Sequence, residues 1–155
     1  MAVITAAVTR RTRNVAAKST QTIVIGTAAS IVVGQLVSTK VSTGRAIDSA
    51  ATAATRFSGI VESLSTNTAT CTGNTAGDYS CTVAYGHEAR IAVSTLCTKG
   101  FVGATVVVKD NNSVTSAASA GTAGVQIHVG ELVQMADSGF GWVRLRQYAI
   151  KTTAA

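Results

Sequence analysis

Apolar residues in this chain recur at every second position, in short runs broken by Gly, Asn, Asp and Ser. That period predicts strands with one face turned inward. The pattern predicts strands over 22–25, 30–41, 57–65, 81–85, 89–97, 102–109, 125–135 and 141–150. In 89–97, Ile91 and Val93 share one face while Arg90, Ala92 and Ser94 share the other. In the last segment Trp142 shares its parity with Arg144 and Arg146, so that face is expected to be solvated or an interface. The stretch 46–55 (AIDSAATAAT) admits a helical turn, capped by Asp48 or Ser49, or a Thr/Ala loop. Residues 66–80 are poor in apolar side chains and rich in turn formers, which predicts an exposed insertion or hairpin.

Composition sharpens the fold class. Ala, Thr, Val, Ser and Gly fill 97 of the 155 positions, Leu occurs 5 times and Pro is absent. A helical bundle needs Leu-type knobs and strong helix formers, whereas Thr and Val suit a pleated, half-buried sheet. The expectation is an all-β protein, a small β-barrel or β-sandwich-like single domain with an extended N-terminal arm. Its parts are an arm over 1–21, a β-rich domain over 22–150 with a loop insertion near 66–80, and a tail over 151–155. So lean a core predicts further burial against a partner or another copy.

Charge is concentrated at one end. The formal net charge is +6, and Arg10, Arg11, Arg13 and Lys18 supply four positive charges within the first twenty residues, where there is no acid. The rest of the chain is nearly neutral, so the basicity belongs to the arm. The arm has no aromatic for base stacking, so no direct nucleic-acid partner is expected. The best apolar run, 23–37, is interrupted by Thr27, Ser30, Gly34 and Gln35 and falls short of the ~20 residues a membrane span needs. Lys18 to Gln21 break the resemblance of the N-terminus to a signal peptide, which predicts a protein made and kept without export.

Candidate chemistry is sparse. Cys71 and Cys81 flank a Gly-rich turn segment, leaving two states open, a disulfide or two reduced thiols. Cys97 lies in a strand pattern and reads as a small core residue. Cys71, Cys81, His87 and Cys97 lack any CxxC or HxxxH spacing, so no metal is expected. Seven scattered acids, lone His87 and His128, and no nucleophile elbow, phosphate loop or dinucleotide fingerprint predict neither an enzyme nor a cofactor.

The chain also echoes itself. VGQLVSTKVSTGRAIDSA from Val33 and VGATVVVKDNNSVTSAAS from Val102 share Val-Gly, a strand ending at Lys, a polar turn and a small-residue stretch. Each is followed by a Gly-plus-acid strand, SGIVE around Gly59 and VGELV around Gly130. The echo predicts a repeated strand–turn–strand unit. The run GHEARIAVSTLCTKGFVGATVVVKDNNSVTSA, followed by VQIHVGELVQMADSGFGWVRL, resembles the tailed-phage capsid decoration, or cement, proteins. The likeness covers about residues 22–147 and leaves out the arm and the 66–80 insertion.

That resemblance implies a small β-barrel-like module, commonly a homotrimer, on the outer surface of a phage head after synthesis in the host cytoplasm. Its partner would be the major capsid protein, whose neighbouring subunits it would clamp. On that reading Arg10, Arg11 and Arg13 would pair with capsid carboxylates, while Val3, Ile4 and Val8 would add a strand to an exposed sheet edge. A tail or fibre adhesion module binding a glycan is the competing expectation, with Tyr79 and Tyr85 as its aromatic candidates.

Overall fold

The computed structural model describes residues 4–49, 55–94, 99–117, 125–137, 139–147 and 152–153. The strands are β1 (Thr12–Arg13), β2 (Ser19–Val24), β3 (Ser30–Val32), β4 (Leu36–Lys40), β5 (Ala46–Asp48), β6 (Thr55–Leu64), β7 (Thr70–Thr72) and β8 (Ser80–Tyr85). They continue as β9 (Glu88–Val93), β10 (Thr105–Val108), β11 (Ser113–Ser116), β12 (Val125–Gln126), β13 (His128–Met135), β14 (Phe140–Leu145) and β15 (Thr152–Thr153). Single 3-10 turns occupy Val15–Ala17 and Lys99–Phe101, and the described residues contain no α-helix. The protein is all-β.

The strands pair into two barrels of the same topology. In the second, β9 pairs antiparallel with β14, β14 with β13, β13 with β10 and β10 with β11, and a parallel β11–β9 pairing closes the ring. In the first, β2, β8, β6, β4 and β5 follow that same antiparallel order. There the ends of the ring meet at a parallel bridge between Ile25 and Ala46.

The likeness extends to single hydrogen bonds. Gly34 N donates to Val61 O at 2.9 Å, and Gly103 N to Leu132 O at 2.7 Å. Gly26 N donates to Ala46 O at 2.8 Å, and Ser94 N to Val114 O at 2.9 Å. Both barrels carry a bulge at the same place. Val37 opposes Gly59 and Ser38 opposes Phe57, so Ser58 is passed over; Val106 opposes Gly130 and Val107 opposes His128, so Val129 is passed over. Gly59 and Gly130 have φ of 152° and 156°, which L side chains rarely adopt, and a Cβ would run into Ala84 O and Arg144 O respectively. The Gly-plus-acid echo in the sequence is this bulge.

The cores match residue for residue. Ile23, Ile25, Val37, Val61 and Val83 fill the first barrel, and Ile91, Val93, Val106, Leu132 and Val143 fill the second. On the opposite face of the first barrel, Leu36, Phe57 and Ile60 belong to the same apolar cluster as the second barrel's core. One continuous cluster therefore joins the barrels. The barrels differ most between their last two strands: residues 136–139 connect them in the second, but residues 65–79 do so in the first. That longer connection forms β7, which pairs with β3.

Some expectations change. Residues 46–48, expected in a helical turn or loop, form β5, because Val37, Ser38 and Thr39 of β4 supply a pairing partner that outweighs local preference. The expected strand over 30–41 is two strands, separated by the turn at Val33–Gly34. The expected strand over 102–109 begins only at Thr105, after a turn at Val102–Gly103. The expected exposed insertion is present, with its only buried residues between 66 and 78 at Cys71 and Gly73. Cys97 lies outside the described residues.

Candidate functional site

The residues singled out in the arm do not stand free of the domain. From Ile4 to Arg13 the arm lies against both barrels. Ile4 N donates to Asn111 Oδ1 at 3.1 Å, and Asn111 Nδ2 donates back to Ile4 O at 3.2 Å. Val8 N donates to Val33 O at 2.9 Å, and a Cβ on Gly34 would overlap Val8 O. That close approach leaves room only for glycine at 34. Thr12 and Arg13, as β1, pair with Ala89 and Glu88 along the part of β9 that β11 leaves uncovered. The strand that the arm adds within the chain itself is β1, which contains neither Ile4 nor Val8. Val3 lies outside the described residues.

The arm's cations are largely engaged. Arg10 Nε donates to Gly34 O at 2.6 Å and its Nη2 to Asn112 Oδ1 at 3.0 Å. Burial lowers the Arg10 guanidinium to about 10, with the charge of Asp110 opposing the shift. Arg13 Nε donates to Glu88 Oε1 at 2.7 Å, its Nη1 to Gln134 Oε1 at 2.9 Å, and its guanidinium lies 4.3 Å from the Trp142 ring centre. Arg144 approaches the other Glu88 oxygen at 3.6 Å. A buried carboxylate held between two arginines, one of them stacked on an indole, fastens β1 to the second barrel. Arg11 is exposed. On the Trp142–Arg144–Arg146 face both arginines are exposed and Arg146 pairs with Glu131 at 2.6 Å, while Trp142 is half-buried under Arg13.

Beneath the arm lies a cavity of about 430 Å³, lined by Val8, Arg10, Thr12, Gly34, Glu62 and His87 among others. His87 is buried in the turn between the barrels, and its Nδ1 has no hydrogen-bond partner among the described residues. Burial pushes the imidazole below its ordinary value, and nearby Lys18 adds to this; a backbone hydrogen bond at Tyr85 and the Glu62 charge oppose it. The unfolded chain therefore takes up the His87 proton first as pH falls. Stability is expected to be full well above the ordinary histidine value of about 6.5 and to decline as pH drops through it. Comparing thermal midpoints at pH 7.5 and 5.5 for the native chain and His87→Gln tests this. The variant should lose less on acidification, and an equal loss would refute the assignment.

Cys71 and Cys81 are both buried in the first barrel's core and are not joined to each other in this structure. Burial pushes the Cys81 thiol up to about 12, which makes it a poor nucleophile. All seven acids are held by neighbours: Asp48 by Gln35, Glu62 by Lys18, Asp78 by Asn74, Glu88 by two arginines, Asp110 by Ser113, Glu131 by Arg146 and Asp137 by Arg90. No group of three or more metal-ligating side chains occurs among the described residues. Tyr79 and Tyr85 are half-buried and pack on the two core clusters. No helix among the described residues is long and apolar enough to cross a membrane.

Sequence reasoning missed Asn111, Asn112 and Glu88 as holders of the arm. Asn111 and Asn112 read as a simple polar turn, and nothing in their spacing signalled a partner at Ile4 or Arg10. Compared with known proteins, the chain matches no family model, no curated protein and no solved structure.

Proposed function

We propose that this chain is a structural protein of a tailed-phage virion, bound to the outer surface of the head, where it stabilises the mature shell by clamping neighbouring major capsid subunits. The observation that carries this reading is the pair of equivalent barrels joined through one apolar cluster. Two like modules held at a fixed spacing suit a repeating lattice. Once one barrel is seated, the second binds at a high effective concentration, without new contacts being needed. The work is mechanical: binding free energy is added to the assembled lattice alone, which shifts the equilibrium away from its disassembly.

The arm supports this role in a different way from the one expected. Strapped across both barrels, it stiffens the clamp, and of its three arginines Arg11 is the one with an exposed side chain for pairing with capsid carboxylates. Self-association as a homotrimer, and the absence of membrane, nucleic-acid and cofactor partners, belong to the same proposal.

The test is the copy number of the chain in purified virions relative to the major capsid protein. A fixed lattice fraction is expected, together with earlier heat-induced rupture of heads that lack the chain. A handful of copies per particle would move the protein to the tail or a vertex, and none would overturn the reading.

A further inference from the structure

The two barrels are equivalent in fold, yet they are not equally covered. In the second barrel the turn between its second and third strands is a docking element. Asn111 O accepts from Leu36 N at 2.8 Å, Asn111 Oδ1 accepts from Ile4 N, and Asn112 Oδ1 accepts from Arg10. This turn of the second barrel therefore seats on the start of β4 in the first, next to the corner at Val33–Gly34 that the arm covers.

The matching turn of the first barrel, Lys40 to Arg45, carries no such load. Val41 is 58% exposed, and a Cβ built on Gly44 would meet nothing within 4 Å. The turn is nonetheless ordered: Gly44 N donates to Lys40 O at 2.8 Å, Lys40 N to Arg45 O at 2.9 Å, and Arg45 is clasped by Thr75 O at 3.2 Å. The complementary corner of the second barrel is bare as well. Val102, equivalent to Val33, is 47% exposed, and Gly103, equivalent to Gly34, has open space where Gly34 has Val8. Two of the four exposed large apolar side chains among the described residues sit on these two surfaces.

We infer that copies of this chain associate head to tail, the Lys40–Arg45 turn of one copy docking on the start of β10 beside the Val102–Gly103 corner of the next, as a repeat of the contact that joins the barrels within each chain. The occupant is a second copy because the inter-barrel contact already shows this kind of turn seated on the start of the strand that follows this kind of corner, Asn111 O on Leu36 N. Lys40 and Arg56 rim the Val41 tip, both lining one small cavity with it, and Glu131 stands opposite Thr105 just past the corner, although Arg146 also holds it. Such a contact is heterologous, so it builds a ring if the rotation closes and a filament if it does not. A ring of three would supply the homotrimer proposed above. The inference rests on the duplication and not on attachment to a capsid.

The test uses the full chain and two charge insertions at exposed positions, Val41→Asp and Val102→Asp, with Val15→Asp as a control on a third exposed valine, 50% accessible and outside both surfaces. Sedimentation equilibrium should give the native chain and the Val15→Asp variant a mass that is a multiple of 15.7 kDa. Each of the other two variants should fall to a single-chain mass while keeping the native circular dichroism. Mixing them one to one should restore a two-chain species, because one copy still has an intact turn and the other an intact corner. A native chain that stays single up to about 1 mM, the weak end of specific association, would overturn the inference. So would assembly that survives either substitution, an inert mixture, or dissociation by Val15→Asp as well. Loss of virion occupancy would bear on the capsid reading alone, so the two proposals fail separately.

Discussion

Replacing Phe57 by Ala is expected to lower the unfolding free energy by about 3–5 kcal/mol, the range for deleting a fully buried aromatic ring. Phe57 is 0% exposed, and although its strand belongs to the first barrel, its ring lies in the cluster that contains the second barrel's core. The loss should therefore be felt in both barrels. Trp142, the chain's one tryptophan, lies on β14 in the second barrel and reports that half by fluorescence. Its denaturant midpoint should move together with the far-ultraviolet signal of the whole sheet content. A Trp142 transition left in place by Phe57→Ala would mean that the barrels unfold independently and that the shared cluster is not one cooperative unit.

The second large effect is expected at the bulge. Gly130→Ala places a side chain at φ 156° and drives its Cβ into Arg144 O on the neighbouring strand. Backbone strain of this kind costs about 1–3 kcal/mol, and the overlap with a neighbouring backbone adds to it, so a total of about 3 kcal/mol or more is expected. Gly59→Ala should behave alike, because its Cβ would meet Ala84 O at the equivalent place. Gly139→Ala is the control: φ is 80°, but the space is open, so only the conformational cost of roughly 1 kcal/mol remains. Thermal midpoints of the three variants decide the matter. If Gly130→Ala were no worse than Gly139→Ala, the bulge would be able to relax, and the close fit between β13 and β14 would not matter.

These glycines also mark what the sequence made legible. Gly59 and Gly130 stood out beside their acids because a bulge is a local event, written within a few residues. The alternation of Ile91 and Val93 was legible for the same reason, and so was the all-β class. Less could be read where partners are far apart. Nothing near Ile25 announces Ala46, so ring closure and the full extent of the duplication stayed hidden behind a repeated strand–turn–strand fragment. The arm showed its charge but not its destination. Gly34 O, Val33 O and the Asn111 and Asn112 amides hold it, and backbone oxygens leave no trace in a charge pattern. Ala46–Asp48 looked weakly helical because its strand character comes from β4, not from its own residues.

The fastening of the arm has a consequence for how the molecule comes into being. Ile4 leaves the ribosome before either barrel, and its partner Asn111 lies 107 positions later. Domains form progressively as a chain is synthesised, N-terminal parts first. Here the order of settling is inverted at one point. The first barrel can close once Tyr85 has emerged, yet residues 4–13 have no complete seat until the turn holding Asn111 and Asn112 has been made. A segment made before either barrel is thus the last to find its place, and its docking marks a chain in which both halves are already built.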